Sequence, residues 1–105
     1  MKTTEEILRD AADLVQFTGW CRFKCYDEET DEYCAAGAIY KVALGDVYGW
    51  SQQVSEVIDT MSDYLRRQDL PCLVEWNNTV AESGSEVADM MRQLAKELER
   101  EDLSA

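Results

Sequence analysis

The sequence predicts a small all-α protein, a single-domain bundle of four to five helices with at most a minor two-stranded element near residues 20–33. Three observations lead there. Apolar residues recur at helical spacing over most of the 105 positions. Ser, Thr and Asp stand where helix starts need caps, and glycines where helices need to stop. Strand-like alternation is confined to one short segment, residues 20–26. The length fits one domain of about 13 Å radius of gyration. A hydrophobic content of 46%, one proline and five glycines leave little room for a disordered linker.

Residues 4–18 read as one amphipathic helix. Thr3 and Glu6 have capping-box spacing, Glu5 and Glu6 suit the positive end of the helix dipole, and Ile7, Ala11, Leu14, Val15 and Thr18 fall on one face. Gly19 is the expected stop. The period then changes: Cys21, Phe23 and Cys25 alternate with Arg22 and Lys24, as in a short strand or an extended loop. Five acids follow within six residues, Asp27, Glu28, Glu29, Asp31 and Glu32. They are expected to be exposed, because packing unpaired carboxylates together is very costly, and to supply caps for the next helix.

That helix spans residues 33–44 and is apolar nearly all round, with Cys34, Ala35, Ala36, Gly37, Ala38, Ile39, Val42 and Ala43. Such a segment belongs in the centre of the domain, where its small residues let another helix come close. Gly45 ends it. Residues 46–50 form a turn carrying Tyr48 and Trp50, after which Ser51 caps a third helix built on Val54, Val57, Ile58, Met61, Tyr64 and Leu65. Arg66 and Arg67 suit its negative end. Asp69-Leu70-Pro71 fits an N-cap with a first-turn proline, giving a short helix over residues 72–76; a strand remains open for the Cys-Leu-Val run. Residues 77–84 read as a polar loop. Ser83 and Glu86 repeat the capping-box spacing, and Val87, Met90, Met91, Leu94 and Leu98 form the stripe of a last helix that runs out in a charged tail, residues 97–102.

Twenty-two Asp and Glu stand against ten Lys and Arg, with no histidine, for a formal charge of −12. Such a surface repels nucleic acids and anionic membranes, and its natural complement is a protein with a basic surface. Without histidine there is no imidazole base near neutral pH, no Cys-His or Ser-His-Asp nucleophile and no imidazole metal ligand. The chain is therefore expected to be non-enzymatic, without cofactor, and a monomer or dimer. The first residues lack a signal-peptide pattern and no apolar run is long enough to span a bilayer, so a cytoplasmic location is expected. In such a compartment four cysteines are expected as free thiols, and the acceptor triplet Asn77-Asn78-Thr79 as coincidental.

Gly19-Trp20-Cys21, Cys34-Ala35-Ala36-Gly37-Ala38 and Trp76-Asn77-Asn78, followed by Glu86-Val87 through Met91, carry a resemblance. In this order they are similar to a family of uncharacterised small proteins of bacteria and their phages, with a Gly-Trp box, a Cys-x-x-Gly-Ala helix and a Trp-Asn-Asp box. The resemblance covers roughly residues 7–98, and Asn78 stands where an aspartate is usual. It implies a phage or mobile-element accessory protein, with no activity to transfer. Read physically, Gly37 and its neighbours permit close packing, Trp20 and Trp76 fill the core, and Asn77 ends a helix by bonding backbone groups.

Candidate sites follow from composition. Asp27, Glu28, Glu29, Asp31 and Glu32, together with Glu56, Asp59 and Asp63 on one helical face, are the expected partner-binding residues; the plain alternative is that they only keep the chain dispersed. The sharper expectation is a protein that occupies a nucleic-acid channel of a host defence protein, of anti-CRISPR or anti-restriction type, and blocks it as a DNA mimic. A second reading makes Cys21, Cys25, Cys34 and Cys72 a metal or redox centre, although only Cys21 and Cys25 have suitable spacing. A reactive thiol at Cys21 or Cys25 would rely on Arg22 and Lys24. Asp27, Glu29 and Asp31 imitate a calcium loop, but Glu32 stands where glycine is needed and Ala38 where the closing glutamate belongs. A third reading is an assembly module using Met61, Met90 and Met91 as an adaptable surface.

Overall fold

The first helix begins where the capping box places it. In the computed structural model, which describes residues 2–104, α1 covers Thr4–Asp13, and the Thr3 hydroxyl accepts the Glu6 N–H at 3.2 Å. The Glu6 carboxylate accepts the Thr3 N–H in return at 3.2 Å. Ile7, Leu8, Ala11 and Ala12 are buried. The helical path does not stay regular to residue 18: Leu14–Thr18 is a π-helical turn, closed by the Gly19 N–H donating to the Leu14 carbonyl at 3.2 Å. A wider turn slips the side-chain phase by about one residue. Val15 therefore stays buried, while Thr18, expected on the apolar face, is exposed and Phe17 points outward at 76% exposure.

Residues 21–25 are not a strand. Phe23 adopts φ 68 and the segment bends, so the alternation of Cys21, Phe23 and Cys25 never lies against a sheet. Only the end of the segment is extended: β1 (Tyr26–Asp27) pairs antiparallel with β2 (Glu32–Tyr33), Tyr26 facing Tyr33 and Asp27 facing Glu32. Trp20 makes an isolated parallel bridge to Tyr33, through Tyr33 N–H to the Gly19 carbonyl at 2.9 Å and Cys21 N–H to the Tyr33 carbonyl at 3.1 Å.

The central helix, α2, covers Ala35–Leu44, and the residues from Ala35 to Ile39 are all buried. The hairpin acids do not cap it. Its cap is Cys34, whose sulfur accepts the Gly37 N–H at 3.2 Å. Gly37 is required by a close approach: a Cβ there would fall 1.9 Å from the Cys25 carbonyl oxygen, so the segment before β1 lies directly on the helix backbone. Gly45 ends α2 in the left-handed conformation at φ 78.

Ser51 caps α3 (Gln52–Arg66), accepting the Val54 N–H at 3.1 Å, and Val54, Val57, Met61 and Leu65 are buried. Asp69 does not cap the next helix. It closes the end of α3 at φ 62, a conformation that aspartate tolerates, with the Leu70 N–H returning to the Leu65 carbonyl at 3.0 Å. α4 (Leu73–Thr79) starts after Cys72, with Pro71 outside it. The cap comes from another helix: the buried Ser62 hydroxyl of α3 accepts the Leu73 N–H at 3.0 Å. Asn77, expected in a polar loop and as a helix end, is instead a buried residue within α4, which runs two residues beyond it.

α5 (Gly84–Ser104) uses Ser83, whose hydroxyl accepts the Glu86 N–H at 3.1 Å, while the Glu86 carboxylate accepts the Glu82 N–H at 2.9 Å. It lies antiparallel along α1, with Arg92 reaching Asp13 at 2.8 Å and Glu99 reaching Arg9 at 2.8 Å. Gly84 permits the crossing, since a Cβ there would fall 2.6 Å from the Val15 carbonyl. One core gathers all five helices around Trp76, Ile7, Leu8, Ile39 and Leu65. Trp20 is half-buried at its edge. No described helix is long and apolar enough to cross a membrane.

Candidate partner-binding surface

The acids predicted between positions 27 and 32 form the tip of a hairpin. Residues 28–31 connect β1 to β2, and the turn is held from within. Asp27 Oδ1 accepts the Glu29 N–H at 3.0 Å, and the Asp27 carbonyl accepts the Asp31 N–H at 2.8 Å. Asp31 takes φ 59, and its carboxylate accepts the Tyr26 hydroxyl at 2.6 Å. Thr30 donates to Glu32 at 2.8 Å. That bond to Asp31 pushes the Tyr26 phenol up to about 12, so it stays a protonated donor. Asp27 and Glu32 are half-buried, whereas Glu28, Glu29 and Asp31 face solvent. Lys24, 3.9 Å from Asp27, offsets one charge at the base. Among the described residues nothing hydrogen-bonds or pairs with the Glu28 or Glu29 carboxylates.

The α3 acids form a separate set. Glu56, Asp59 and Asp63 are all exposed on one helix face, as their spacing predicts. Gln52 donates to Glu56 at 3.1 Å, and Arg66 pairs with Asp63 at 3.0 Å. Asp63 borders a groove of about 410 Å³ between α3 and α5 that also takes in Arg67, Glu97 and Leu98. The hairpin packs on α2 and the π turn, whereas α3 packs on α2, α4 and α5. Among the described residues each set has one ion pair, Lys24 with Asp27 in the hairpin and Arg66 with Asp63 on α3. In the tail, Glu99 is bound by Arg9, and the Asp102 side chain lies outside the described residues.

The spacing of Tyr48 and Trp50 in their turn does not say whether they are core or surface. Both are exposed, at 68% and 70%. Tyr48 shares a cleft of about 130 Å³ with Tyr26, Glu28 and Asp46, so an aromatic ring stands beside the acidic tip. The pairing of positions 28 and 48 has no local signature. The only hint was two aromatics, Tyr48 and Trp50, in the turn of residues 46–50, outside any helical phase. The methionine surface of the assembly reading is not available, because Met61 and Met91 are fully buried and Met90 is half-buried.

The cysteines divide. Cys34 is buried and Cys25 exposed, with Cys21 and Cys72 between. Burial pushes the Cys34 thiol up to about 12, against the smaller opposing pull of the Gly37 N–H. Cys21 is also raised, first by burial and then by Glu32 and Asp27, which together override the opposing pull of Lys24. Both thiols are thus poor nucleophiles at neutral pH. Cys25 and Cys34 line a cavity of about 110 Å³ with Phe23, Val74, Asn77 and Asn78, and Cys72 starts α4 away from its lining. Among the described residues no group of three or more Cys, Asp or Glu side chains is placed to hold a metal ion.

No curated protein and no solved structure matches the chain. Residues 1–97 match a family of unknown function, DUF6197, and the chain belongs to that family.

Proposed function

We propose that this is a non-enzymatic accessory protein of a phage or mobile element, acting in the host cytoplasm. It binds a host protein with a basic surface through its acidic hairpin, and by doing so competes with nucleic acid for that partner. The observation that carries the reading is the hairpin tip. It holds Glu28, Glu29 and Asp31 in solvent on a turn ordered by its own hydrogen bonds, so little conformational freedom is lost when a cationic partner docks. The net charge of −12 adds a long-range field that speeds association and opposes direct binding to nucleic acid. Tyr48 and Trp50 supply exposed aromatic area of the kind that anchors interfaces. A DNA mimic of anti-restriction or anti-CRISPR type has this combination of size, charge and missing catalytic groups.

The test is capture of partners from a host lysate on the immobilised chain, followed by competition with duplex DNA. Bound protein is expected to be released by DNA and by salt, and to be lost with Glu28→Lys/Glu29→Lys. A captured partner that keeps its DNA binding in the complex would refute the mimic mechanism. Capture undiminished by the double variant would move the site away from the hairpin.

A further inference from the structure

We propose that Cys25 and Cys34 are a disulfide-forming pair, closed by a low-molecular-weight disulfide such as oxidised glutathione, and that closure ties the base of the hairpin to the first turn of α2. The pairing follows from register. One step outward from Tyr26 and Tyr33, the ladder brings Cys25 opposite Cys34, and the Cys34 N–H donates to the Cys25 carbonyl at 3.1 Å. Facing residues of an antiparallel pair stand about 4.5–5.5 Å apart at Cα. A disulfide needs roughly 4.4–6.8 Å, so the backbone does not have to move far. Both residues line the same small cavity, whose other walls are largely apolar.

The two thiols differ in a way that orders the reaction. Cys25 is exposed beside Lys24, whereas Cys34 is buried and its sulfur accepts the Gly37 N–H. The Cys25 thiolate attacks one sulfur of the small disulfide, forming a mixed disulfide and releasing one thiolate, which takes up a proton. Cys34 yields its proton reluctantly, but it is held opposite Cys25, so the second step is intramolecular: the proton goes to solvent and the Cys34 sulfur attacks the Cys25 sulfur, releasing the second small thiol. The two protein thiols lose two electrons and two protons, and the small disulfide is reduced to two thiols. Closure removes the sulfur from the Gly37 N–H and replaces that cap by a covalent link. The proposal stands apart from the partner reading, since it concerns only whether this bond forms.

The folded chain is incubated with oxidised glutathione, remaining thiols are blocked with N-ethylmaleimide, and the protein is digested with trypsin. Cleavage after Lys24 and Lys41 leaves Cys25 and Cys34 in one peptide and Cys21 in another. The expected product is that single peptide, lighter by two hydrogens and unblocked. Cutting it after Glu28 or Glu29 must leave two linked fragments. Cys34→Ser keeps an oxygen cap on α2 and is expected to stop at a glutathione adduct on Cys25, while Cys21→Ser and Cys72→Ser close normally. A persistent adduct on wild-type Cys25, or a link from Cys25 to the Cys21 peptide, would overturn the pairing.

Discussion

Trp20 donates its indole N–H to the side-chain oxygen of Asn77 at 2.7 Å, across 57 positions of sequence. The same oxygen accepts the Ala35 N–H at 2.9 Å, and the Asn77 amide donates to the Cys21 carbonyl at 3.2 Å and to Asn78 Oδ1 at 3.1 Å. One buried side chain of α4 thus joins the segment after α1 to the start of α2. A buried donor or acceptor that loses its partner carries its full desolvation penalty, so this amide matters more than its single net hydrogen-bond energies suggest.

Asn77→Ala is expected to destabilise the fold by about 2–4 kcal/mol, the cost of stranding the Trp20 and Ala35 donors and the Cys21 carbonyl. Asn77→Asp is also destabilising, because it buries a charge and loses the donor to Cys21. Asn78→Asp is the contrasting case. Asn78 acts here through Oδ1 alone, accepting from the Phe23 N–H at 2.8 Å and from Asn77, and a carboxylate can accept both. The change is expected to stay within about 0.5 kcal/mol. Urea midpoints for the three variants decide it; a loss at Asn78→Asp as large as that at Asn77→Ala would contradict the assignment.

Two glycine substitutions separate close approach from backbone strain. Gly37→Ala drives a Cβ to 1.9 Å from the Cys25 carbonyl oxygen, a backbone atom that cannot turn aside, and is expected to cost about 3 kcal/mol or more. Gly45→Ala has open space around it but must hold φ 78, and is expected to cost only about 1–2 kcal/mol. Thermal unfolding of both variants measures the difference, and equal losses would mean that the 21–25 segment yields freely.

The helices were legible in the sequence because their signals are local. Thr3 with Glu6, Ser51 and Ser83 each sit within three residues of the N–H they bond, and the apolar spacing from Val54 to Leu65 needs only its own helix to be read. What was not legible depends on partners distant in sequence. The π turn at Leu14–Thr18 places the Val15 carbonyl against Gly84, the cap of α4 comes from Ser62, and Asn77 reads as a loop residue until Trp20 and Ala35 are brought to it. The acidic tip lies between these cases. Its exposure follows from charge, but its order comes from Tyr26 and Thr30, and its neighbour Tyr48 from the fold.

Arg92 joins α5 to the end of α1 through Asp13 at 2.8 Å and to the π turn through Gln16 at 2.5 Å, with Asp89 of its own helix at 3.9 Å. The pair with Asp13 is more than half exposed on the acidic side, so water and salt screen it. Arg92→Met, which keeps the apolar stem, is expected to lower stability by less than about 1 kcal/mol at low salt and by less still near 1 M salt. A salt-independent loss would assign the effect to the hydrogen bond with the uncharged Gln16 side chain.

Alkaline pH tests the burial of Cys34. The folded chain holds this thiol proton up to about 12, whereas an unburied thiol gives its proton up near 9.0. Stability from this group is complete below about pH 9 and falls as the pH rises toward 12, because only the unfolded chain then releases the proton. The slope can reach about 1.4 kcal/mol per pH unit for one group. Cys21, Tyr33 and Tyr64 are raised as well, chiefly by burial, and steepen the same loss. Cys34→Ser keeps an N-cap oxygen and has nothing to ionise in this range. Its urea midpoint is therefore expected to fall less than the wild-type midpoint between about pH 8 and about pH 11, whatever the offset between the two proteins at neutral pH. Parallel curves for the two proteins would place the alkaline loss on the tyrosines and Cys21, and would mean that the Cys34 sulfur is more open to water than its position under the first turn of α2 implies.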